Sequence, residues 1–289
     1  MGDMAETPPV VLTIAGFDPS SGAGVTADIK TIAAHGCYGV ACITALTAQS
    51  TAGVRRVAGS DPGLVRETLR ELASDVGIAA IHIGMLASSE VVSAVVDFVD
   101  STRPKLRNIV LDPVLKSSSG AALLDPAGAK LLQERLMPLC DVMTPNLDEA
   151  GALTGLKVAT LDDMRRAAEK LHESGARAVV ITGGHLSEAI DLLSFTSKKG
   201  IQQEVFRAVR QSSNSTHGTG CAFSTAMACH LALERGLAEA TLLAKVFVSA
   251  AITAAYPLGR GVGPVNHLYR VNEQKRAMSS SEASEKRHE

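Results

Sequence analysis

A chain of 289 residues that is 46% hydrophobic and 20% charged can bury the core of one large α/β domain. Its formal net charge of -2 gives no basic field for nucleic acid, and its apolar runs are too short to cross a bilayer, so neither partner is expected. The five cysteines form an odd set without a C-x-x-C pair, which argues against a disulfide framework and a zinc site and favours reduced thiols in the cytoplasm.

Apolar, β-rich runs alternate with stretches of helical period along the chain. Strands are predicted at 10–15, 40–46, 79–85, 108–114, 141–144, 177–182 and 190–195, and helices at 61–75, 88–100, 125–137, 160–174, 219–235 and 238–255. This pattern predicts one α/β domain over residues 10–275, with a mostly parallel sheet covered on both faces and ligands at the carboxyl ends of its strands. We expect a flexible N-terminus over 1–9 and a disordered tail over 276–289.

Two glycine-rich turns follow predicted strands. The first, AGFDPSSGAG at 15–24, leads into a helix that carries Asp28, and it can be a ligand loop or a tight strand-helix turn. The second, TGGH at 182–185, lies between two strands and can equally be a hairpin turn. Neither matches a P-loop or a complete G-x-G-x-x-G fingerprint, so those two nucleotide-binding motifs have no support.

A third glycine-rich segment, GTGCAF at 218–223, immediately precedes a long predicted helix. Unpaired backbone N–H groups and the helix dipole make such a position an anion site, where a transferring phosphate fits. A thiol in the first helical turn should have a pKa below about 8.5, which predicts that Cys221 is a usable base near neutral pH. A helix N-terminus with an inert buried cysteine remains the alternative.

Acidic residues at two predicted strand ends suggest a magnesium site. Asp112 ends one strand, and Asn146-Leu147-Asp148-Glu149 opens a helix after the next one. Oxygen ligands of this kind suit Mg²⁺, which keeps several waters and binds nucleotide phosphates. Asn146 or Asp148 can instead serve simply as the helix cap.

Taken together, these segments resemble the hydroxymethylpyrimidine kinase/phosphomethylpyrimidine kinase family of thiamin biosynthesis, within the ribokinase-like superfamily. The resemblance rests on TIAGFDPSSGAGVTADIKT (13–31), ITALTAQ (43–49), IGML (83–86), LDPV (111–114), TPNLDEA (144–150), GGH (183–185), THGTGCAFS (216–224) and GVGPVNH (261–267). It implies a single-domain, three-layer α/β/α fold and a homodimer. It also implies ATP-dependent, Mg²⁺-assisted phosphorylation of 4-amino-5-hydroxymethyl-2-methylpyrimidine to its monophosphate and then to its pyrophosphate.

The resemblance also assigns roles to residues of this sequence. The catalytic set implied is the backbone of the anion hole together with a cysteine where most relatives carry an Asp base: Gly218, Thr219, Gly220 and Cys221. The positions implied to contact the pyrimidine are Gly16, Asp28, Gln49, Met85 and Val114. The nucleotide side is implied at Asn146, Thr182, Gly184 and Lys245, and the metal side at Asp112 and Glu149.

Several of these positions keep a structural alternative or depart from the family pattern. Asp28 can be a surface helix carboxylate, and Met85 and Val114 can be ordinary core. Thr182 and Ser118 stand where many members carry lysine, which removes two cations from the phosphate clamp; Lys245 is the candidate to compensate. A common histidine of the family is also replaced, by Asn266.

Three other functions compete with this interpretation. A pyridoxine or pyridoxal kinase of the same family, or a kinase that stops at the monophosphate, shares the GTGC loop. A cysteine hydrolase would pair Cys221 with His217, but two glycines separate them and no third orienting group is evident. A vitamin-binding protein without catalysis is the remaining alternative, favoured by Thr182 and Ser118.

Overall fold

A computed structural model describes residues 6–271 except 104, 105, 118, 185, 187 and 212. Our expectations for Ser118, for His185 and for the tail at 276–289 therefore lie outside the described residues, as do those for the first five residues of the N-terminus.

The described part of the chain forms one sheet of nine strands in the order β3-β2-β1-β4-β5-β6-β7-β8-β9. The strands are β1 (Val10–Phe17), β2 (Tyr38–Ser50), β3 (Gly53–Gly59), β4 (Ile78–Ile83), β5 (Ile109–Leu111), β6 (Val142–Met143), β7 (Ala178–Gly183), β8 (Ala189–Ser197) and β9 (Gly200–Ala208). The central strands β2, β1, β4, β5, β6 and β7 pair in parallel, whereas β3, β8 and β9 join antiparallel at the two edges. The predicted mostly parallel sheet is confirmed.

Helices cover both faces of this sheet. They are α1 (Gly24–Ala34), α2 (Pro62–Asp75), α3 (Ser89–Thr102), α4 (Pro126–Leu131), α5 (Leu147–Thr154), α6 (Leu161–Glu173), α7 (Thr219–Ala232) and α8 (Leu237–Thr253). A π turn (Leu132–Leu136) and a 3-10 turn (Met137–Leu139) continue α4. None of the described helices is long and apolar enough to span a membrane.

Alternation along the strands builds two separate cores. Leu12 and Ile81 join one core with α3 and α6, while their neighbours Val11 and Ala80 join the other with α7 and α8. Successive side chains of a strand point to opposite faces, so continuous apolar strands require helices on both sides. The three-layer α/β/α arrangement follows from this pattern and matches the fold that the sequence predicts.

Two strands were not predicted from the sequence. The edge strands β3 and β9 read VRRV and QQEVFRA through their centres, and most of their residues are partly or fully exposed. Apolar periodicity identifies strands by the face they bury, so a strand that buries little gives a weak signal.

Candidate active site

The parallel strands end side by side at one edge of the sheet, where most of the predicted site residues lie. Backbone hydrogen bonds fix this edge: Gly84 N–H donates to Ile14 at 2.9 Å and Asp112 N–H donates to Ile83 at 2.8 Å. Farther along the edge, Thr182 N–H donates to Pro145 at 2.9 Å. The sheet therefore brings the glycine-rich turn after β1, the acidic residue after β5 and the turn after β7 to one rim.

The segment predicted to bind an anion, residues 218–221, which we call the anion loop, lies at the start of α7. Gly218 precedes the helix with φ +82° and no side chain caps it. The Thr219 N–H donates to the Thr216 carbonyl at 3.4 Å, and the first helical bond runs from Ala222 N–H to Gly218. In the first turn of a helix the N–H groups have no intrahelical acceptor, so those of Gly220 and Cys221 point toward the rim. A negatively charged ligand fits there.

The two main glycine-rich segments pack directly on each other. A Cβ on Gly218 would lie 1.8 Å from the Gly22 carbonyl oxygen, and a Cβ on Gly22 would lie 2.2 Å from Cδ2 of His217. These contacts leave no room for a side chain, and φ at Gly218 is left-handed, so glycine is required at both positions. The turn after β1 is thus both a tight strand-helix connection and one wall of the site.

Asp18 holds this wall together, and sequence reasoning missed it. One carboxylate oxygen accepts from the Ser20 N–H and hydroxyl at 2.8 and 2.7 Å, and the other accepts from Gly22 and Ala23 N–H. His217 Nε2 lies 2.9 Å from the second oxygen. Burial would raise the pKa of Asp18, but the bonds from His217 and Ser20 hold the pKa below its usual value. Asp in a turn followed by Ser is the sequence signal for such a bonded loop.

The side predicted to hold the ring is apolar with one amide at its border. Met85 and Val114 lie in one small hydrophobic cluster. A Cβ on Gly16 would be 2.9 Å from Met85 Sδ, so these two residues are adjacent. Gln49 Nε2 lies 3.3 Å from His217 Nε2, next to the anion loop, and Thr47 donates to Gln49 Oε1 at 3.2 Å. The structure therefore brings Gly16, Met85 and Val114 together and places Gln49 beside His217, next to the loop before α7.

The prediction of a lowered pKa for Cys221 is wrong. Burial and the charge of Asp112 raise the pKa of this thiol well above its ordinary value. The Asp112 carboxylate is the nearby charge with the largest effect on this thiol, and Asp28 and Glu149 add to it. The dipole of α7 favours a thiolate, but the nearby carboxylates and the loss of solvent disfavour it more. Cys221 is therefore a protonated thiol in the free protein.

Asp112 and Glu149, the two residues predicted to bind Mg²⁺, are both buried, and their carboxylates repel each other. Burial raises the pKa of Asp112 to about 6, and burial together with Asp112 raises the pKa of Glu149 to about 8. Glu149 Oε2 also accepts from the Asn146 N–H at 2.9 Å. Two neighbouring buried carboxylates suit a divalent ion that keeps water and phosphate as its other ligands. Among the described residues, no group of three or more acidic, His or Cys side chains could hold a metal by itself.

Asn146 caps α5, which confirms the structural alternative for this residue. Its side chain accepts from Glu149 N–H at 2.9 Å, and the reciprocal bond completes a capping box. Asn146 also forms a bridge with Thr182, so these two candidates for the nucleotide side are neighbours. The turn beyond Thr182, which includes the exposed Gly184, joins the antiparallel strands β7 and β8, so it is a hairpin turn as well.

Lys245 lies beside the same turn, but its charge is already paired. Its ammonium group donates to Asp191 at 2.7 Å, and both side chains are buried. Asp191 faces Thr182 across the β7–β8 ladder and accepts from Gly183 N–H at 3.1 Å. Contact of Lys245 with a nucleotide stays a prediction, and Asp191 competes for its charge.

The predicted ring contact of Asp28 is corrected by its burial. This side chain has no exposed surface, and its two oxygens accept from Thr13 at 2.7 Å and Thr225 at 2.8 Å. Asp28 is neither the surface carboxylate of the alternative interpretation nor exposed to the site. It lies behind the rim beside His82, which sequence reasoning missed although His82 is the one polar side chain in the apolar strand β4, IAAIHI.

Comparison with known proteins identifies the family to which this sequence is similar. The sequence pattern of the family described as phosphomethylpyrimidine kinase matches residues 18–266. The hydroxymethylpyrimidine/phosphomethylpyrimidine kinase of Streptomyces coelicolor is 41% identical over 268 residues, covering 92% of this chain and 97% of the relative. The thiamine biosynthesis bifunctional protein ThiED of Geobacter sulfurreducens is 43% identical over 260 residues, and the match covers 89% of this chain and 52% of that protein.

Solved structures show the same architecture. The pyridoxal kinase of Bacillus subtilis, solved as an ADP complex, has a TM-score of 0.82 at 35% identity, covering 92% of this chain and all of the other. The phosphomethylpyrimidine kinase of Clostridium difficile has a TM-score of 0.74 at 36% identity, covering 84% of this chain and 99% of the other. Kinases of two vitamin rings thus share this fold.

Proposed function

The chain belongs to the phosphomethylpyrimidine kinase family, and we propose that it phosphorylates hydroxymethylpyrimidine to the monophosphate and then to the pyrophosphate, with ATP as donor. The observation that carries this proposal is the distance of 3.3 Å between Gln49 Nε2 and His217 Nε2. His217 immediately precedes the anion loop, so an amide able to hydrogen-bond to the ring lies next to that loop. A ring held at Gln49 directs its hydroxymethyl group toward α7.

The ring side supplies shape and one directional contact. Met85 and Val114 offer apolar surface to a flat heteroaromatic ring, and Gly16 has no Cβ that would clash with Met85. The Gln49 amide has both a donor and an acceptor, the complement of an aminopyrimidine edge. The amide nitrogen lies 3.3 Å from His217 Nε2, which places this amide at the end of the proposed ring site nearest α7.

The phosphate side supplies charge stabilisation. Phosphoryl transfer depends mainly on positioning and on neutralising the charge of the moving group. The N–H groups of Gly220 and Cys221 and the start of α7, which no side chain caps, would provide this at the rim. Asp112 and Glu149 would hold Mg²⁺ through water, and that ion supplies further neutralisation of the nucleotide phosphates when bound. Asn146, Thr182 and Gly184 line the proposed nucleotide side.

Cys221 acts as a hydrogen-bonding thiol rather than a preformed thiolate. The hydroxymethyl oxygen must lose a proton during the first transfer, whereas a monophosphate oxygen is already ionised near pH 7. The sulfur can accept that proton only as its own proton leaves, and the neighbouring Asp112 carboxylate is the group proposed to take it. We therefore assign Cys221 a role in the first transfer and a much smaller one in the second.

Pyridoxal is the competing substrate, because a pyridoxal kinase shares the fold at 35% identity. Incubation with ATP, Mg²⁺ and either hydroxymethylpyrimidine or pyridoxal, followed by chromatography of the products, tests both functions. We expect pyrimidine monophosphate followed by pyrophosphate. A product from pyridoxal alone, or no product with either ring, would contradict the proposal, and accumulation of monophosphate would limit it to the first step.

We also propose a homodimer working in a reducing compartment, the cytoplasm. Three large apolar side chains of β2 are exposed, Tyr38, Ile43 and Leu46, by 58%, 39% and 55%. A second copy would cover them, because exposed apolar surface of this kind favours association. All five cysteine thiols are free, which fits a compartment where thiols stay reduced.

A further inference from the structure

The segment GVGPVNH, at 261–267, has no role in the proposed function, although the family resemblance rests partly on it. It follows α8 and contacts two separate parts of the site. One is the turn between β2 and β3, where Thr51 lies two residues after Gln49. The other is His217, the residue before the anion loop.

Hydrogen bonds join this segment to the turn between β2 and β3. Val262 N–H donates to the Thr51 carbonyl at 3.1 Å, and Gly261 N–H donates to Thr51 Oγ1 at 3.2 Å. A Cβ on Gly261 would lie 1.9 Å from the same carbonyl oxygen, and a Cβ on Gly259 would lie 2.2 Å from Thr51 Oγ1. A side chain at either glycine would push the segment away from Thr51, so the close approach requires both glycines.

Backbone hydrogen bonds also join the segment to the residue before the anion loop. His217 N–H donates to the Gly263 carbonyl at 3.0 Å, and Val265 N–H donates to the His217 carbonyl at 3.3 Å. Gly263 N–H donates to the Asn214 carbonyl at 3.1 Å, and a Cβ on Gly263 would lie 2.7 Å from Ser215 Oγ. Both backbone groups of His217 are therefore held by this one segment.

The two sides of the site are thus connected through the backbone. Thr51 is bonded at 261–262 and His217 at 263–265, so a single short run of chain holds both. Gln49 and His217 are 168 positions apart in sequence, and their facing nitrogens lie 3.3 Å apart in the structure. A displacement of about 1 Å between a bound ring and the phosphate position can slow transfer about 100-fold.

We propose that residues 259–265 set the distance between Gln49 and the anion loop, and that Thr51 is a positioning residue for the ring. Thr51 acts through Gln49, two residues away on the same hairpin. This role rests on the proposed function and adds a residue to it.

Two variants of Thr51 test the hydroxyl contact. Thr51→Val removes the acceptor for Gly261 N–H at nearly unchanged size, and we expect KM for the ring to rise about three- to tenfold, the equivalent of one hydrogen bond. Thr51→Ser keeps the hydroxyl and should hold that KM within about twofold of wild type. KM for ATP should stay unchanged in both variants, because the proposed nucleotide side at Asn146 and Thr182 does not include this contact.

Gly261→Ala tests the close approach itself. Its methyl group would collide with the Thr51 carbonyl, and we expect KM for the ring to rise about tenfold or more, with KM for ATP unchanged. Gly77→Ala is the matched control, since Gly77 is also exposed and a Cβ there would have no heavy atom within 4 Å. Its KM values should equal those of wild type.

The pattern of KM and kcat separates positioning from stability. A variant that only loses folded protein lowers kcat and leaves both KM values unchanged, and melting temperatures identify such a loss. That pattern in Gly261→Ala, or a wild-type KM for the ring in both Gly261→Ala and Thr51→Val, would overturn the proposed role.

Hydrogen–deuterium exchange followed by mass spectrometry gives an answer independent of turnover. We expect Gly261→Ala to speed exchange both in the peptide that contains His217 and in the peptide of the β2–β3 turn, whereas Gly77→Ala should change neither. Faster exchange confined to 259–262 would show that the segment does not connect the two sides, and would refute the proposal. If the wild-type protein phosphorylates neither ring, the proposed function fails, while exchange still decides whether the connection exists. The two failures are therefore distinguishable.

Discussion

Charge beneath the rim is controlled by single side chains and not by the helix dipole alone. Cys221 occupies the first turn of α7, where a dipole favours a thiolate, yet Asp112 and burial raise the pKa of its thiol. Asp18, in contrast, keeps its negative charge because five donors surround it. Neighbours within hydrogen-bond distance thus outweigh the longer-range field in this site.

Cys221→Ser tests the role of the thiol. Because the thiol is protonated in the free protein, we expect the first phosphorylation to slow by about 10- to 100-fold, at or below the lower end of the loss of roughly 10²–10⁴ typical of a removed general base. The second step should change by less than about threefold, since its acceptor is already ionised. Rapid-quench assays of the two steps measure this, and equal losses would indicate a purely positional role.

The raised pKa of Cys221 can be measured in the same protein. We expect iodoacetamide to label Cys221 slowly at pH 8 in the folded chain and faster as the pH rises, because only the thiolate reacts. Mass spectrometry of the labelled peptide, with Cys221→Ser as the blank, gives the rate. Rapid labelling at pH 7 would contradict the raised pKa of Cys221 and would support the thiolate that the sequence predicts.

Asp18→Asn tests the clamp on the first glycine-rich turn. Asn can accept at only one atom, so donors remain unpaired and we expect a loss of about 1–3 kcal/mol in unfolding free energy at pH 7. The folded-state pKa of Asp18 is below 3.8, so its contribution is present above pH 3.8 and is lost as the pH falls through that lower value. The difference in unfolding free energy between wild type and variant, measured by urea denaturation, should therefore become smaller toward pH 3.

The exposed Asp75, at the end of α2, provides the matched control. Asp75→Asn should change stability by less than about 0.5 kcal/mol at any of these pH values. A gap for Asp18→Asn that stays constant with pH would mean that the carboxylate charge does not stabilise the turn.

At the scale of the element, the start of α7 combines a rigid and an open position. Gly218 is fixed by its left-handed φ and by the Gly22 carbonyl, whereas a Cβ on Gly220 would meet nothing closer than Asp112 Oδ2 at 3.9 Å. The first glycine serves the fold and the second serves the ligand. Alanine substitutions at these two positions therefore separate the two effects.

We expect Gly218→Ala to cost about 1–3 kcal/mol of stability through backbone strain. Gly220→Ala should leave the melting temperature unchanged or raise it, because alanine favours helix by about 1 kcal/mol over glycine. Its methyl group would nevertheless occupy the phosphate position and slow both transfers. Thermal melts and the two kinase assays measure these effects. Normal rates for Gly220→Ala would show that the phosphate does not bind beside Gly220.

At the scale of the whole molecule, the exposed apolar residues of β2 predict association. We expect light scattering to give the mass of a dimer at micromolar concentration, and Leu46→Glu to shift it toward the monomer, because a buried unpaired carboxylate opposes association. Glu67→Gln on the exposed part of α2 is a neutral control. A wild-type mass of 30.0 kDa would refute the homodimer.

The sequence by itself determined the parallel sheet, its two helical layers, the glycine-rich segment that opens α7 and the family. Apolar periodicity and glycine spacing are local properties, so they can be recognised directly in the sequence. The edge strands β3 and β9 were not predicted, because they bury little surface.

Only the tertiary structure decided the charges. The raised pKa of Cys221, the burial of Asp28 and the position of His82 depend on residues far apart in the chain, such as Asp28 and Thr225, which meet at 2.8 Å. A pKa depends on which charges and how much solvent lie within a few ångströms, and no spacing rule in one sequence supplies those distances.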